Sequence, residues 1–402
     1  MEQDDQYLLK ELVMSEILIR LPARSLGRFK CVSKSWCSTI NNPSFIDQHI
    51  LYHHPQNHTN NINNTTNLYL LLNTGYSFAR KTTIRRLSYD NLAAVQTKQP
   101  PIPTRPLAGR AGVTCCCNGL LLFSDLVRRN WLLWNLATGE TKRLPTSSSP
   151  ILMKKSEDIL FYNVGFGFAA QSMDYKVVMM YNLLDSHPGE DSIEVEMYSL
   201  KTDSWKRIPT SPSQGFSNID QFCPGVFSNG MLSWKASHKE GWDKIVSLDL
   251  RCEMVIITPL PSCISHPRSD NTRSDNKYNY PLVYKGESFA LLNHYCFKDG
   301  PLGKSFDLWV LGEYGVKESW NKLFTIGPLQ GIDRVLGFWK DGKVFVEKKR
   351  FIWETNSGGV ILKEMHEKEL LLLDTATQET TSLQIYGLTD LFTYRETLVP
   401  LN

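Results

Sequence analysis

Long apolar runs and an excess of one charge are both missing from this chain of 402 residues. The longest apolar runs, such as LLLL at 370–373, fall far short of the roughly 20 residues that cross a bilayer, so we expect no membrane span. Because 44 Lys and Arg face 41 Asp and Glu, the net charge of +3 does not indicate a nucleic-acid-binding protein. The first six residues, MEQDDQ, are acidic where an export or transit peptide is basic, and we expect a cytoplasmic or nuclear protein.

Complete metal-binding and catalytic motifs are missing as well. Three of the nine cysteines are consecutive at 115–117, but neighbours on a strand point to opposite faces, and no C-x-x-C pair completes a zinc site. The segment GPLGKS at 300–305 ends like a phosphate-binding loop, yet Lys298 stands where that loop needs its first glycine. G-x-S-x-G and H-E-x-x-H motifs do not occur. We therefore predict a non-catalytic protein with reduced cysteines and without metal or cofactor.

Composition changes at His53, where an Asn-rich stretch with few apolar residues runs to Asn67. This stretch predicts a linker at 51–67 between a module at 1–50 and a domain at 68–402. Apolar residues of the first segment recur at helical spacing, which predicts three short helices. A module of this size buries little surface by itself, so we expect the rest of the chain or a partner to cover its apolar face.

After the linker, short aliphatic and aromatic runs alternate with turn signals such as Asn118-Gly119, Asn229-Gly230 and Asp341-Gly342, which predicts hairpin-connected strands. One hairpin pattern recurs at intervals somewhat longer than the roughly 40–50 residues of a propeller blade. Its copies lie at 132–145, 195–209, 245–261, 306–323 and 371–383. We predict an α+β multidomain chain whose all-β domain is a β-propeller of about six blades, with a double β-sandwich as the alternative.

Several phrases of the sequence resemble one family. Residues 16–36, EILIRLPARSLGRFKCVSKSW, resemble the F-box of plant F-box proteins. The β region resembles the F-box-associated domain of the same proteins in NGLL at 118–121, WNLATGE at 134–140, GFGF at 165–168, DYKVV at 174–178 and YSL at 198–200. The phrases SWNKLF at 319–324 and GPL at 327–329 resemble the S-locus F-box branch.

This resemblance implies a substrate receptor of a Skp–cullin–F-box ubiquitin ligase, in which the F-box binds a Skp-type adaptor and, through it, a cullin. The β domain would capture a protein target, and the S-locus likeness implies a pistil ribonuclease as target and a role in self-incompatibility. The adaptor-binding candidates are the apolar residues of the module, with the last as anchor: Leu9, Val13, Ile17, Leu18, Leu21, Pro22, Leu26, Phe29, Val32 and Trp36. For each of them, the alternative is a place in the module's own core.

Basic residues accompany this apolar set. Arg20, Arg24 and Arg28 recur at helical spacing with Lys30 and Lys34 close by, and such a cluster would attract an acidic adaptor. The alternative is an ordinary solvated helix face.

The chain departs from the family pattern at two places. Where the F-box opens with Leu-Pro and an acidic residue two places later, this chain has Lys10 and Leu12. Gly27 replaces a usual apolar residue, which within a helix costs about 1 kcal/mol relative to Ala. Both changes would weaken adaptor binding.

Two further functions stay open at this point, a non-ligase scaffold and a propeller enzyme. An enzyme would need several carboxylates or histidines that converge on a channel. For target capture, the insertions at 145–158, 185–192 and 262–280 are the candidates, because binding residues are concentrated on loops.

Overall fold

The computed structural model describes residues 16–53, 68–75, 82–99, 111–125, 130–147, 159–183, 192–210, 216–219, 224–238, 243–265, 278–296, 303–355 and 361–401. Two adaptor-binding candidates, Leu9 and Val13, and the two departures at Lys10 and Leu12 lie outside these residues. Most of the predicted linker and most of the three candidate target-binding insertions lie outside them too.

Three short helices open the described chain. A 3-10 turn at Leu18–Arg20 precedes α1 (Ala23–Phe29), α2 (Lys34–Ile40) and α3 (Pro43–His53). Ser33 is the N-cap of helix α2, and its Oγ accepts the Trp36 N–H at 3.2 Å. Helix α3 begins at a proline, which suits a first helical position. The predicted helical module is confirmed, and its buried apolar residues are Leu18, Ile19, Ala23, Leu26, Ile40, Phe45, Ile46 and Ile50.

The strands form six sheets, which are the blades of a six-bladed β-propeller. Blade 1 has the strand order β25-β1-β2-β3, and thus pairs the last strand of the chain with the first. Its strands are β1 (Leu68–Gly75), β2 (Thr82–Ser88), β3 (Ala94–Lys98) and β25 (Leu388–Arg395). Blade 2 consists of β4 (Ala111–Cys117), β5 (Leu120–Asp125), β6 (Asn130–Asn135) and β7 (Thr141–Arg143).

Blades 3 to 6 follow in chain order. Blade 3 contains β8 (Ile159–Ala169), β9 (Asp174–Leu183), β10 (Ser192–Ser199) and β11 (Ser204–Ile208). Blade 4 contains β12 (Phe216–Ile219), β13 (Val226–Ser228), β14 (Met231–His238), β15 (Asp243–Asp249) and β16 (Met254–Pro259). Blade 5 contains β17 (Tyr278–Tyr284), β18 (Ser288–Cys296), β19 (Lys304–Leu311) and β20 (Trp320–Leu329). Blade 6 contains β21 (Ile332–Phe338), β22 (Lys343–Thr355), β23 (Ile361–Asp374) and β24 (Thr380–Tyr386).

The propeller prediction is therefore confirmed, and the double β-sandwich is not the fold. Two of the three predicted turns join the first strand of a blade to its second, and Asn229-Gly230 joins β13 to β14 in blade 4. The non-glycine residues Asn118, Asn229 and Asp341 have positive φ angles of 41°, 49° and 54°. Asn and Asp tolerate this conformation better than other residues with a Cβ, which is why the turn signal is legible in the sequence.

The recurring hairpin pattern corresponds to one piece of the blade. Each of its five copies is the hairpin between the last two strands of a blade, in blades 2 to 6. A short acidic or amide side chain closes the turn in three of them. Asn135 Oδ1 accepts the Ala137 N–H at 3.0 Å, Asp249 Oδ1 accepts the Arg251 N–H at 2.7 Å, and Asp374 Oδ1 accepts the Ala376 N–H at 2.9 Å.

The chain divides into two compact units. Unit 1 comprises Met1–Leu72, Thr83–Leu144 and Phe392–Asn402. It holds the helical module, blade 2 and most of blade 1. Its core joins residues from both blades, namely Leu71, Ile84, Val113, Leu121, Phe123, Leu132, Trp134, Leu136 and Tyr394.

Unit 2 comprises Asn73–Thr82 and Pro145–Leu391, with blades 3 to 6. Its hydrophobic clusters lie between consecutive blades. The GFGF segment of β8 packs closely against blade 4. A Cβ on Gly165 would lie 2.5 Å from Trp234 Cζ2, and a Cβ on Gly167 would lie 2.6 Å from Phe227 Cδ2. Only glycine fits there, because real Cβ atoms do not approach other atoms so closely.

Candidate functional site

The structure separates the apolar candidates of the helical module into a buried and an exposed group. Leu18 is 2% exposed and Leu26 is 0% exposed, so both side chains already belong to the chain's own core. Ile17 is 52% exposed and Val32 is 63% exposed. Exposed aliphatic side chains at these levels lose water contact only when a second surface covers them.

Leu21, Pro22, Phe29 and Trp36 lie between these two groups and are half-buried. The rings of Phe29 and Trp36 pack edge to face, with centroids 5.4 Å apart and planes at 82°. This pair connects α1 to α2 on either side of Val32. The predicted anchor is therefore held in place by its own module and still keeps part of its surface open.

The basic residues of the module are mostly on its surface. Four of the five are exposed, namely Arg20, Arg24, Arg28 and Lys34, and Lys30 is half-buried. Arg20 Nη2 forms an ion pair with Glu16 Oε2 at 2.7 Å, between two exposed side chains. Such a pair contributes little to stability in water. The module thus presents positive charge beside its exposed apolar residues.

The module is attached to the β domain inside unit 1 by polar contacts that the sequence pattern did not reveal. The main-chain N–H of Arg24 donates to Glu396 Oε2 at 3.2 Å, and Arg395 Nη1 donates to the carbonyl oxygen of His53 at 2.9 Å. Glu396 also forms a buried ion pair with Arg86 of β2 at 2.6 Å. Their sequence signal, an Arg-Glu pair before the apolar LVPL, is too common to have singled them out.

Within the module, His49 of α3 contacts the start of the helical segment. Its Nε2 lies 2.9 Å from the Leu21 carbonyl oxygen, and the residue is 2% exposed. Burial lowers the pKa of His49, although the contact with Leu21 acts in the opposite direction. His49 is therefore a neutral structural residue at physiological pH.

The three consecutive cysteines lie on β4, in the core region of unit 1. Cys115 and Cys117 are buried, and Cys116 Sγ lies 3.5 Å from the Thr393 carbonyl oxygen. Burial raises the pKa of Cys116 to about 12, so the thiol keeps its proton. Across the described residues, no group of three or more His, Cys, Asp or Glu is arranged to hold a metal ion. No helix in the described part of the chain is long and apolar enough to cross a membrane.

A shallow groove of about 200 Å³ lies in unit 2, between β20 of blade 5 and blade 6. Its polar lining consists of Gln330, Lys348, Gln378 and Thr380. Amides and one lysine can hydrogen-bond a peptide or a small polar molecule. They do not form a nucleophile-and-base arrangement.

The helical module and the β domain each match a known protein family. The family model of the F-box domain matches residues 11–48, and that of the F-box associated beta propeller domain matches residues 94–401. An F-box/kelch-repeat protein of Arabidopsis thaliana is 28% identical over 81% of this chain and 81% of its own length. The F-box protein CPR1 of the same plant is 25% identical over 90% of this chain and 83% of its own length.

Solved structures give a weaker likeness. The alignment with the β-propeller domain of the trilobed protease from Pyrococcus furiosus covers 68% of this chain and 70% of the protease domain. The sequence identity is 11% and the TM-score is 0.34. The family models cover most of the chain, and together with the three helices and six blades they place it in a family: this chain belongs to the F-box proteins that carry an F-box associated β-propeller domain.

Proposed function

We propose that this F-box protein is the substrate-recognition subunit of a Skp–cullin–F-box ubiquitin ligase. The helical module binds a Skp-type adaptor and, through it, a cullin, while the propeller captures the protein to be ubiquitinated. The chain then performs no chemistry of its own, because a separate enzyme of the complex carries the ubiquitin. Its place of action is the cytoplasm or the nucleus.

The observation that carries this proposal is the exposed apolar surface of the module. In the part of the chain that the structure describes, six large hydrophobic residues are exposed, and three of them, Ile17, Val32 and Leu51, lie in the first 53 residues. The much larger β domain contributes only the other three, Val95, Met254 and Leu323. A small helical module that keeps aliphatic side chains in water is suited to a helical partner that covers them.

The buried and exposed groups have different roles under this proposal. Ile17 and Val32 touch the adaptor directly, and the open parts of Leu21, Phe29 and Trp36 extend that surface. Leu18 and Leu26 act indirectly, since they hold the helices together. The basic side chains Arg28, Lys30 and Lys34 raise the association rate with an acidic adaptor and change the affinity less.

An affinity measurement with full-length protein tests the proposal. Substitution of Val32→Asp places a charge where an apolar contact is expected, and should weaken binding to a Skp-type adaptor about tenfold or more, which equals about 1.4 kcal/mol. Met254→Asp is the matched control, because Met254 is 62% exposed against 63% for Val32 but lies on β16. Equal adaptor affinity of the two variants, both folded, would contradict the proposal.

For the target, the proposal names only a protein that binds to loops of the propeller. Loops of the propeller are the places for target capture, and the insertions at 145–158, 185–192 and 262–280 stay predictions. The S-locus likeness, with a pistil ribonuclease as target and a role in self-incompatibility, also stays a prediction. Affinity purification from native tissue with the proteasome blocked tests it, and recovery of a target that is not a ribonuclease would overturn it.

A further inference from the structure

Two consecutive residues near the end of the chain, Arg395 and Glu396, contact opposite ends of the helical module. Glu396 reaches the N-terminal end of α1 through its carboxylate, and Arg395 reaches the C-terminal end of α3 through its guanidinium. The contacts join residues 372 and 342 positions apart in the sequence. All of these residues belong to unit 1.

Helix α1 lacks a cap of its own. The residue before it is Pro22, which forms no side-chain cap hydrogen bond, and the first turn contains no acidic residue. The first N–H groups of a helix have no partner within it and carry the positive end of the helix dipole. Glu396 provides what is missing, because its Oε2 accepts the Arg24 N–H from a side chain that is only 2% exposed.

The same carboxylate is tied to blade 1. Its Oε1 lies 2.6 Å from Arg86 Nη1, and the Arg86 guanidinium stands 4.4 Å above the Tyr69 ring centre. Burial lowers the pKa of Lys98, the cations Arg24 and Arg86 lower it further, and the Glu396 anion raises it. A neutral residue at 396 would leave Arg86 buried without its anion.

Arg395 makes the complementary contact at the other end of the module. Its Nη1 donates to the carbonyl oxygen of His53, the last residue of α3. Carbonyl groups at a helix C-terminus carry the negative end of the dipole and favour a cation. Thus the anion of the pair faces a helix N-terminus and the cation faces a helix C-terminus.

The segment after the pair is anchored in blade 2. Asn135 Nδ2 donates to the carbonyl oxygens of Thr397 and Val399 at 3.1 and 2.9 Å, and Glu140 Oε2 accepts the Leu401 N–H at 2.9 Å. A Cβ on Gly119 would lie 2.4 Å from the Arg395 carbonyl oxygen, so the chain passes blade 2 at a distance that only glycine permits. The two charged residues therefore project from a fixed backbone.

We propose that Arg395 and Glu396 form a clamp that holds the F-box in one orientation on blades 1 and 2. Both are positioning residues in this account. The next step rests on the proposed function. In a ligase, the clamp would set the direction in which the bound adaptor extends away from blades 1 and 2. Orientation and adaptor binding are then separate properties, since neither residue belongs to the exposed apolar surface at Ile17 and Val32.

Hydrogen exchange on the full-length chain tests the clamp at each end. In Glu396→Ala, which removes the accepting oxygen, we expect the Arg24 amide to exchange about tenfold faster, the effect of a lost helix cap, with unchanged exchange in blades 3 to 6. In Arg395→Met we expect faster exchange in the last turn of α3. The matched controls are Glu318→Ala and Arg143→Met, whose side chains lie in an exposed turn and on an exposed strand position. Wild-type exchange at Arg24 in folded Glu396→Ala would overturn the clamp.

A second variant covers the case in which Glu396→Ala does not fold. Replacing Arg86 and Glu396 together by leucine removes both buried charges, which proteins tolerate better than the loss of one. This double variant leaves Arg24 without its acceptor, so its amide should still exchange about tenfold faster. Unchanged exchange in the folded double variant would equally overturn the proposal.

Orientation itself is measured by amine cross-linking and mass spectrometry. In the wild type, Lys30 and Lys34 should link to a narrow set of lysines in blades 1 and 2, whereas the clamp variants should give additional links. An unchanged set would overturn the positioning role even if exchange is faster. Adaptor binding is measured alongside. Wild-type protein that fails to bind the adaptor contradicts the proposed function, while exchange and cross-linking still decide the clamp.

Discussion

The helical module and the blades satisfy their polar groups and bury their apolar groups in different ways. A blade closes its own turns, as Asn135, Asp249 and Asp374 do from within the same hairpin, and buries its face against the next blade. The module receives a cap for α1 from Glu396, at the far end of the chain, and leaves Ile17 and Val32 in water. The blades thus close their own turns, whereas the module depends on the chain's end for a cap and keeps apolar side chains exposed.

The largest expected effect contrasts a tryptophan from each region. Trp234 of β14 is 1% exposed, covers Gly165, and donates its Nε1–H to the Val164 carbonyl oxygen at 3.4 Å. Trp234→Ala should lower the free energy of unfolding by about 3–5 kcal/mol. Trp36→Ala, in the half-buried module position, should lower it by only about 1–2 kcal/mol and weaken adaptor binding. Urea unfolding followed by fluorescence measures the free energy of unfolding of both variants. An equal loss of unfolding free energy in the two variants would contradict the expected difference between the two regions.

Local chemistry explains which parts of the fold were predictable. The hairpins of blades 2 to 6 carry their turn residues beside the strands, so the same pattern recurs and the blade repeat can be recognised. Blade 1 differs, because its last hairpin closes with other turn residues: Ser88 Oγ accepts the Asp90 N–H at 3.3 Å, and Asn91 Oδ1 accepts the Ala93 N–H at 3.0 Å. Its strand β25 comes from the other end of the chain, and short-range patterns do not identify a distant partner.

The candidate site shows the same limit. Helical spacing grouped Leu18 and Leu26 with Ile17 and Val32, since periodicity identifies an apolar face but not what covers it. Only the folded chain separates its own core from the residues left exposed. Glu396 was missed for a related reason: a carboxylate that caps a helix 372 residues away has no local signature.

A pH titration sharpens the comparison, because each region buries a histidine. Burial lowers the pKa of His294 of β18 to about 4, and the Lys304 cation acts in the same direction while Asp333 opposes it. The unfolded chain binds a proton near pH 6.5 and the native chain does not, so stability is present above pH 6.5 and is lost as pH falls toward 4. We expect a loss of about 1–2 kcal/mol between pH 7 and 5 that His294→Gln removes.

The same argument applies to His49 in the module, whose pKa burial also lowers. His49→Gln should flatten the pH dependence of unfolding of the module. The neighbouring carboxylate of Asp333 does not titrate in this window: burial raises its pKa, yet hydrogen bonds from Lys304 and Lys349 bring that pKa below its ordinary value. Urea unfolding at pH 7, 6 and 5 measures both slopes. A wild-type slope that persists in His294→Gln would show that other groups cause it.

The smallest expected effect is a gain in stability. It shows whether Gly27 lowers the stability of the helical module, its affinity for the adaptor, or both. Gly27 lies inside α1, is exposed, and has no heavy atom within 4 Å of where a Cβ would stand. Gly27→Ala should therefore stabilise the module by about 0.5–1 kcal/mol, because alanine loses less backbone entropy in a helix. The matched change Gly139→Ala, at a turn glycine with φ of 83°, should destabilise although it too meets no neighbouring atom. Thermal unfolding measures both changes. If Gly27→Ala stabilises the module without raising adaptor affinity, the glycine weakens only the fold of the F-box, and the adaptor-facing surface is already complete in the native chain.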